Sequence, residues 1–165
     1  MKEQLPYQKT SEAIKGYCDS EIAKNETNDC VVRAFASAFD VTYDFAHQYV
    51  EKHFQRQPGK GTFGTSYKMI TMSNNGVEIN GKNIYLVGDK INDFMWGALR
   101  YDAKLKGQKI KREMTIGRFI KENPKGTFFV IVRGHAFTIK NGVVIGNVED
   151  SKRKRKVMHY AFKIE

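Results

Sequence analysis

Hydrophobic positions recur with a helical period in the first part of the chain. Residues 30–39 (CVVRAFASAF) place apolar side chains three and four positions apart, and Asn28 and Asp29 before them favour a helix start. Residues 45–54 repeat this spacing after a short break. Residues 115–122 form a third such segment, which begins at a threonine and stops before Asn-Pro. We therefore predict helices over these three segments.

The pattern changes near the C-terminus, where β-branched and aromatic residues predominate. Residues 127–132 (TFFVIV) have the composition of a central strand. Residues 135–139 and 143–147 flank an Asn-Gly pair at 141–142, which is typical of a hairpin turn. Residues 157–164 (VMHYAFKI) predict a closing strand. Helices packed on a C-terminal antiparallel sheet place the chain in the α+β class.

The segments between these regions carry weaker patterns. Residues 67–72 predict a short helix, and residues 91–101 have a weak helical period. Residues 77–79 and 84–87 predict strands around a glycine turn. The Gly-rich segment 56–65 (RQPGKGTFGT) predicts a loop, which is well placed to form a mobile lip beside a cleft.

The length of 165 residues, without a repeat or a low-complexity segment, indicates one domain. We expect residues 1–27 to be a polar lead-in, residues 28–150 to form the core, and residues 151–165 to add a basic loop and the closing strand. No apolar run approaches the roughly 18 to 20 residues of a membrane span. The first thirty residues also lack a hydrophobic signal segment. We therefore expect a cytoplasmic protein that is neither secreted nor bound to a membrane.

Cysteine and histidine usage gives no sign of a metal site. The chain has two cysteines, neither in a Cys-x-x-Cys motif, which fits a reducing compartment. The four histidines show no ligand spacing with either cysteine. We expect neither a bound metal nor a cofactor.

The net charge of +10 is concentrated in two short runs, which hold ten of the 28 basic residues: Lys104, Lys106, Lys109, Lys111 and Arg112 in one, and Lys152, Arg153, Lys154, Arg155 and Lys156 in the other. The 18 basic residues that remain equal the 18 acidic ones, so the rest of the chain is neutral. Basic loops with few aromatic residues can follow phosphates without reading bases. We expect two solvated loops that favour an acidic partner or substrate, with nucleic-acid binding as an alternative function.

Two residues combine into candidate chemistry. Cys30 stands at the start of the first predicted helix, where free N–H groups and the positive end of the helix dipole favour a thiolate. His135 enters a strand between Gly134 and Ala136, two small residues that leave its ring accessible. An imidazole is the base and ion-pair partner that a cysteine nucleophile needs, so the pair indicates thiol chemistry.

A third side chain would orient the imidazole, and the hairpin leaves two candidates. If residues 140–142 form a three-residue turn, Asn147 lies opposite His135. If the turn is only residues 141–142, the register slips by one, and Asp150 becomes the diagonal neighbour of His135. We favour Asn147 and keep Asp150 as the alternative.

Two motifs carry a resemblance to a known family. Residues 28–34 (NDCVVRA) and 126–137 (GTFFVIVRGHAF), followed by the Asn-Gly hairpin, resemble small papain-like proteins that are common in bacteriophage and bacterial genomes. The resemblance spans roughly residues 25–150. In papain-like cysteine peptidases a cysteine heads a long central helix, and the histidine lies on the sheet packed against it. The resemblance thus implies a papain-like fold and a cysteine-peptidase-like hydrolase that cleaves a peptide, isopeptide or other amide bond.

The family's roles transfer position by position. Cys30 would be the nucleophile, His135 the general base, and Asn147 or Asp150 the orienting residue. Papain-like enzymes usually carry a glutamine about six residues before the cysteine to help hold the oxyanion. This chain has Lys24 there, and Asn25 is the amide that would take that role.

The family also includes inactive members. A chain of this size encoded by a phage would act in the host cytoplasm. The alternative to a hydrolase is therefore an inactive papain-like protein that binds a host protein.

Overall fold

A computed structural model of the chain describes residues 4–89 and 114–165. In chain order the elements are β1 (Tyr7–Lys9), α1 (Thr10–Ala13), α2 (Glu21–Asn25), α3 (Cys30–Phe39), α4 (Tyr43–Phe54), α5 (Thr65–Asn74), β2 (Ile84–Asp89), α6 (Ile116–Glu122), β3 (Thr127–Val132), β4 (His135–Lys140), β5 (Val143–Gly146), α7 (Val148–Ser151) and β6 (Met158–Ile164). The predicted α+β class is confirmed. In these two ranges no helix is long and apolar enough to cross a bilayer.

The strands form one six-stranded sheet in the order β1-β5-β4-β3-β6-β2. The sheet is mixed, because β1 runs parallel to β5 while the other neighbours are antiparallel. The predicted antiparallel pairing is therefore wrong only at the β1 edge, and the sheet is not purely C-terminal, because β1 and β2 come from earlier parts of the chain. β1 is not predicted from the sequence, because its three residues (YQK) are all exposed and show no apolar alternation.

Helix α3 lies against β4 and is almost wholly buried. Its bounds are those predicted, since the apolar residues at helical spacing all face the core. Phe35 and Phe39 are fully buried, with ring centroids 4.5 Å apart. The helix ends where Asp40 adopts a left-handed conformation (φ 60°). Its first residue, Cys30, is thereby held beside the sheet.

Both faces of the sheet are covered. Phe129 of β3 packs in the cluster that contains α3, α4 and α5, whereas Phe128 and Val130 point into a second cluster on the opposite face. α6 covers that second face with Ile116 and Phe119. This double burial explains why β3 is an unbroken apolar run.

Several predicted segments differ in detail. Residues 77–79 are not a strand, since Ile79 forms only an isolated bridge with Lys82 across a turn. The strand predicted over 84–87 extends to Asp89 and pairs with β6. The helices over 45–54 and 67–72 are present with longer bounds, as α4 and α5. The helix predicted over 91–101 lies outside the described residues.

The hairpin has the shorter of the two turns considered. Lys140 pairs with Val143, so the turn is Asn141 and Gly142, both with positive φ (49° and 79°). The favoured three-residue turn is therefore wrong. β5 stops at Gly146, and the chain turns at once into α7 instead of continuing as a strand.

Two buried hydroxyls join α3 to β4, and we expect their loss to weaken this contact. Thr138 is fully buried, accepts a hydrogen bond from the Ser37 hydroxyl at 2.8 Å and donates to the Ala34 carbonyl oxygen at 2.7 Å. Thr138→Val keeps the shape but removes both bonds. It should lower the free energy of unfolding by about 1–2 kcal/mol, measured by urea denaturation.

Thr71→Val is the matched control. The Thr71 hydroxyl donates a solvent-exposed hydrogen bond to the Tyr67 carbonyl oxygen within α5, so its removal should change stability by less than about 0.5 kcal/mol. Equal stability of the two variants would contradict a structural role for the Ser37–Thr138 pair.

Candidate active site

The first residue of α3 and the first residue of β4 meet at one end of the sheet. The packing of α3 along β4 brings the Cys30 thiol close enough to the His135 ring for each group to shift the pKa of the other. The backbone N–H of Ala136 lies near the Cys30 sulfur and contributes to lowering the pKa of the thiol. Two residues more than 100 positions apart in sequence are thus joined in one partly buried site.

The other side of the His135 ring is held by Asp150. Nε2 of His135 lies 2.7 Å from Oδ1 of Asp150, which leaves Nδ1 as the ring nitrogen for the thiol. The Asp150 side chain is only 3% exposed, and Nε of Arg153 donates to the same Oδ1 at 2.9 Å. The orienting carboxylate is therefore fixed by charge as well as by burial.

Asn147, the favoured orienting residue, has a different place. Its side chain accepts from the backbone N–H of Asp150 at 3.0 Å, and the Asp150 carboxylate accepts from the backbone N–H of Asn147 at 2.9 Å. This reciprocal capping box starts α7. The short helix, rather than a diagonal across a continued strand, carries Asp150 to His135. The structure therefore pairs His135 with the alternative candidate, Asp150.

Electrostatics favour the charged form of the Cys30–His135 pair. Burial lowers the pKa of His135, but the hydrogen bonds to Asp150 and Cys30 outweigh it and raise that pKa from 6.5 to about 9. Burial raises the pKa of the Cys30 thiol, but the His135 and Ala136 hydrogen bonds, with the charges of His135 and Arg33, bring it below its usual value. The thiolate and the imidazolium stabilise each other.

The carboxylate responds in the same sense. Burial raises the pKa of Asp150, but the hydrogen bond to His135, the backbone N–H of Asn147 and the Arg153 guanidinium outweigh it, so the pKa lies below its usual value. Asp150 is therefore charged at neutral pH and can hold an imidazolium.

An open cleft gives access to the thiol. A cavity of about 320 Å³ is bounded on one side by Cys30, His135 and the ends of β3 and β4, and on the other by residues 61–66. The loop predicted over 56–65 therefore does border the candidate site. Phe63 stands at this border and is 87% exposed. Thr62 also lines the cleft, and its hydroxyl is buried without a hydrogen-bond partner among the described residues.

Asn25, expected to bind the oxyanion, is exposed at the end of α2. Its side-chain amide donates to the Glu21 carbonyl oxygen at 2.8 Å, and Asn25 is not among the residues that border the cleft. The neighbouring Lys24 pairs with the Glu21 carboxylate at 2.6 Å. Both side chains therefore make their contacts within α2, with Glu21. Thr62 is the polar cleft residue that sequence reasoning missed, since a threonine in a Gly-rich loop carries no recognisable signal.

A buried charge cluster supports the segment that leads into Cys30. Glu26 accepts from the His47 ring at 2.6 Å and from the Arg56 guanidinium at 3.0 Å. The other Glu26 oxygen accepts from the backbone N–H groups of Gly59 and Thr27, at 2.8 and 3.0 Å. These contacts hold the pKa of Glu26 far below its usual range. The cluster fixes the cleft loop relative to the start of α3, and no motif in the sequence indicates it.

The basic run after α7 is a structured part of the fold. The carbonyl oxygens of Lys154 and Lys156 accept from the first N–H groups of α6, those of Gly117 and Ile116, at 2.9 Å. Lys152 pairs with Glu149, and Arg153 serves Asp150 as described. Residues 152–156 form a loop, as predicted, and Lys152, Arg155 and Lys156 are exposed, but Arg153 and two backbone carbonyl groups of the run bind other parts of the fold. The run that contains Lys109, Lys111 and Arg112 lies outside the described residues.

No metal cluster accompanies the thiol. Within residues 4–89 and 114–165, no three His, Cys, Asp or Glu side chains lie together so that they could hold an ion.

Comparisons with known proteins do not assign the chain to a family. A scan of the sequence against protein-family models finds no match, and searches of curated proteins and of solved structures find no match either. We therefore infer a function from the geometry of the site.

Gly146 provides a test of the Asp150–His135 contact from outside the three residues. A Cβ at this position would lie 2.3 Å from Oδ2 of Asp150, so Gly146→Ala must displace the carboxylate. We expect the pKa of His135 to fall below its wild-type value, as measured by NMR titration of the ring, and to fall likewise in Asp150→Asn.

Gly61→Ala is the control for an added methyl group. A Cβ at Gly61 meets open space, so this variant should leave the His135 titration unchanged. A wild-type titration curve in Gly146→Ala would show that Asp150 does not control the ring.

Proposed function

We propose that this protein is a papain-like thiol hydrolase that cleaves a peptide, isopeptide or other amide bond with Cys30, His135 and Asp150. The observation that carries the proposal is the His135 ring held between the Cys30 thiol and a buried carboxylate. A cysteine at the start of a helix packed on the strand that carries the histidine is also the arrangement that the papain-like resemblance implies. The geometry of the site and the resemblance indicate the same nucleophile, Cys30, and the same base, His135.

The reaction begins with attack of the Cys30 thiolate on the acyl carbon of the substrate. The His135 imidazolium then donates its proton to the leaving amine as the carbon–nitrogen bond breaks, which leaves a thioester on Cys30. The neutral ring next removes a proton from water, whose attack releases the acid and restores the thiolate–imidazolium pair. Asp150 keeps Nδ1 of the ring directed at the sulfur in each step and stabilises the positive charge.

The developing oxyanion needs donors close to the sulfur. The backbone N–H of Cys30 is one, because the first N–H groups of a helix have no partner within it. The second in this proposal is the buried hydroxyl of Thr62, a residue that lines the same cleft; this hydroxyl has no hydrogen-bond partner among the described residues. Thr62 thereby replaces Asn25 in the mechanism.

A peptidyl ketone electrophile tests the nucleophile directly. Acyloxymethyl ketones carried on short peptides alkylate cysteine when a peptide site and a base align them with the thiolate. We expect one adduct, on Cys30 of the wild-type protein, with none on Cys30→Ala, as read by intact mass and peptide mapping.

The second cysteine supplies the control. Cys18 is exposed, and Cys18→Ala should be labelled as fast as the wild-type protein. A wild-type protein that forms no adduct under these conditions would remove the hydrolase proposal.

The pH dependence of alkylation follows from the two pKa shifts. At pH 6 an ordinary thiol with a pKa of 9.0 is almost wholly protonated, whereas the thiolate of Cys30 is stabilised by His135. Iodoacetamide should therefore alkylate Cys30 at pH 6 at least about tenfold faster in the wild-type protein than in His135→Asn. Above about pH 9 the wild-type ring loses its proton, so the difference should shrink.

Alkylation of Cys18 in the same samples is the internal reference and should not depend on the substitution. Thermal unfolding of His135→Asn checks that the variant is folded at pH 6. Equal rates for Cys30 in the two proteins at pH 6 would contradict the ion pair.

A further inference from the structure

A second cavity adjoins the candidate active site. It measures about 370 Å³, and Gly61 and Phe63 border both it and the cleft that contains Cys30. The remaining wall includes Phe54, which is buried, and two lysines, Lys60 and Lys68. The two spaces are therefore neighbours across one short stretch of the Gly-rich loop.

The cavity is positively charged and nothing described neutralises it. Neither Lys60 nor Lys68 forms an ion pair with any residue in the described ranges, and the lining contains no Asp or Glu. The acidic residue that contacts this loop is Glu26, but its carboxylate is buried and bound to Arg56. The two ammonium groups thus remain available to an anion.

The cleft beside the thiol has the opposite character. Apart from His135, its lining has no ionisable side chain other than Cys30, and consists mainly of small and apolar residues. Among the residues that line the two spaces, the side chains that can bind a charged group of the substrate are therefore the lysines of the second cavity, next to Phe63. Gly61 borders both spaces, and a Cβ at this position would meet no atom within 4 Å, so the surrounding space is open.

We propose that Lys60 and Lys68 form a subsite for an acidic side chain of the substrate, so that the protein prefers peptides with Asp or Glu close to the bond that Cys30 attacks. This inference rests on the proposed hydrolase function. The two ammonium groups bind the carboxylate, and the Phe63 ring packs on the aliphatic part of the same side chain. The cleft itself accepts small or apolar residues of the substrate next to the acidic one.

Matched peptidyl acyloxymethyl ketones test the preference. Each set places Glu, Gln or Lys at one position of an otherwise neutral tetrapeptide, and the rate constant for labelling Cys30 is measured by mass spectrometry. At one position at least, the Glu probe should react about tenfold faster than its Gln isostere, with the Lys probe slowest. Added salt should weaken the preference, because it screens exposed charges.

Charge reversal assigns the preference to the two lysines. Lys60→Glu/Lys68→Glu should abolish the advantage of the Glu probe and speed up the Lys probe. Lys125→Glu/Lys140→Glu makes the same change in net charge at two exposed positions by the hairpin turn, at the far end of β4 from His135, and should keep the wild-type preference. Equal rates for Glu and Gln probes, or a Glu preference that survives in the first variant, would overturn the subsite.

A binding measurement separates the subsite from the chemistry. Fluorescence anisotropy of labelled Glu and Gln peptides on Cys30→Ala, with and without the Lys60/Lys68 reversal, requires no reactive thiol. Stronger binding of the Glu peptides that the reversal removes would support the subsite even if no ketone labels Cys30. No difference between the peptides, or displacement of the Glu peptide by a short single-stranded oligonucleotide at lower concentration than by unlabelled peptide, would overturn it.

Discussion

The contact between a buried carboxylate and the His135 ring is the constraint on which the rest of the site depends. A buried charge is costly unless it is paired, and Asp150 meets this requirement with the ring, the Arg153 guanidinium and a backbone N–H. The ring in turn can hold a proton beside Cys30 because Asp150 balances its charge. The sheet supplies the strand for His135, and a four-residue helix supplies the carboxylate. The position of Asp150 thus links the fold to the reactivity of the thiol.

Local sequence patterns predict the helix and the hairpin of this site better than they predict which side chains contact each other. The helix from Cys30 and the Asn-Gly turn follow from spacing and turn chemistry, which act over a few residues. The identity of the residue that contacts His135 depends on a one-residue register and on a helix that begins directly after β5. Asn147 has the side chain expected of an orienting residue, but it is also a good helix cap, and capping is the role it takes. Both roles are compatible with the local sequence around Asn147, and the tertiary structure selects helix capping.

Charges illustrate the same limit. The sequence draws attention to the dense run at 152–156, yet Arg153 in that run serves Asp150, and two of its carbonyl oxygens cap α6. The cations that border the second cavity, Lys60 and Lys68, stand eight residues apart, one in the Gly-rich loop and one in α5, and form no run of basic residues. Only the turn from the loop into α5 brings them to one cavity. Clustering along a chain is therefore a poor guide to clustering in space when a loop and a helix share a pocket.

The order of these elements along the chain has a consequence for synthesis. α3 carries Cys30 and is synthesised before the segments that carry His135 and Asp150, which follow more than 100 residues later. β3, beside the strand that carries His135, gains its second neighbour only with β6. Until His135 and Asp150 have been synthesised, the Cys30 thiol lacks the residues that lower its pKa. In the proposed mechanism, this order keeps the nucleophile of the growing chain inactive until the later strands have formed.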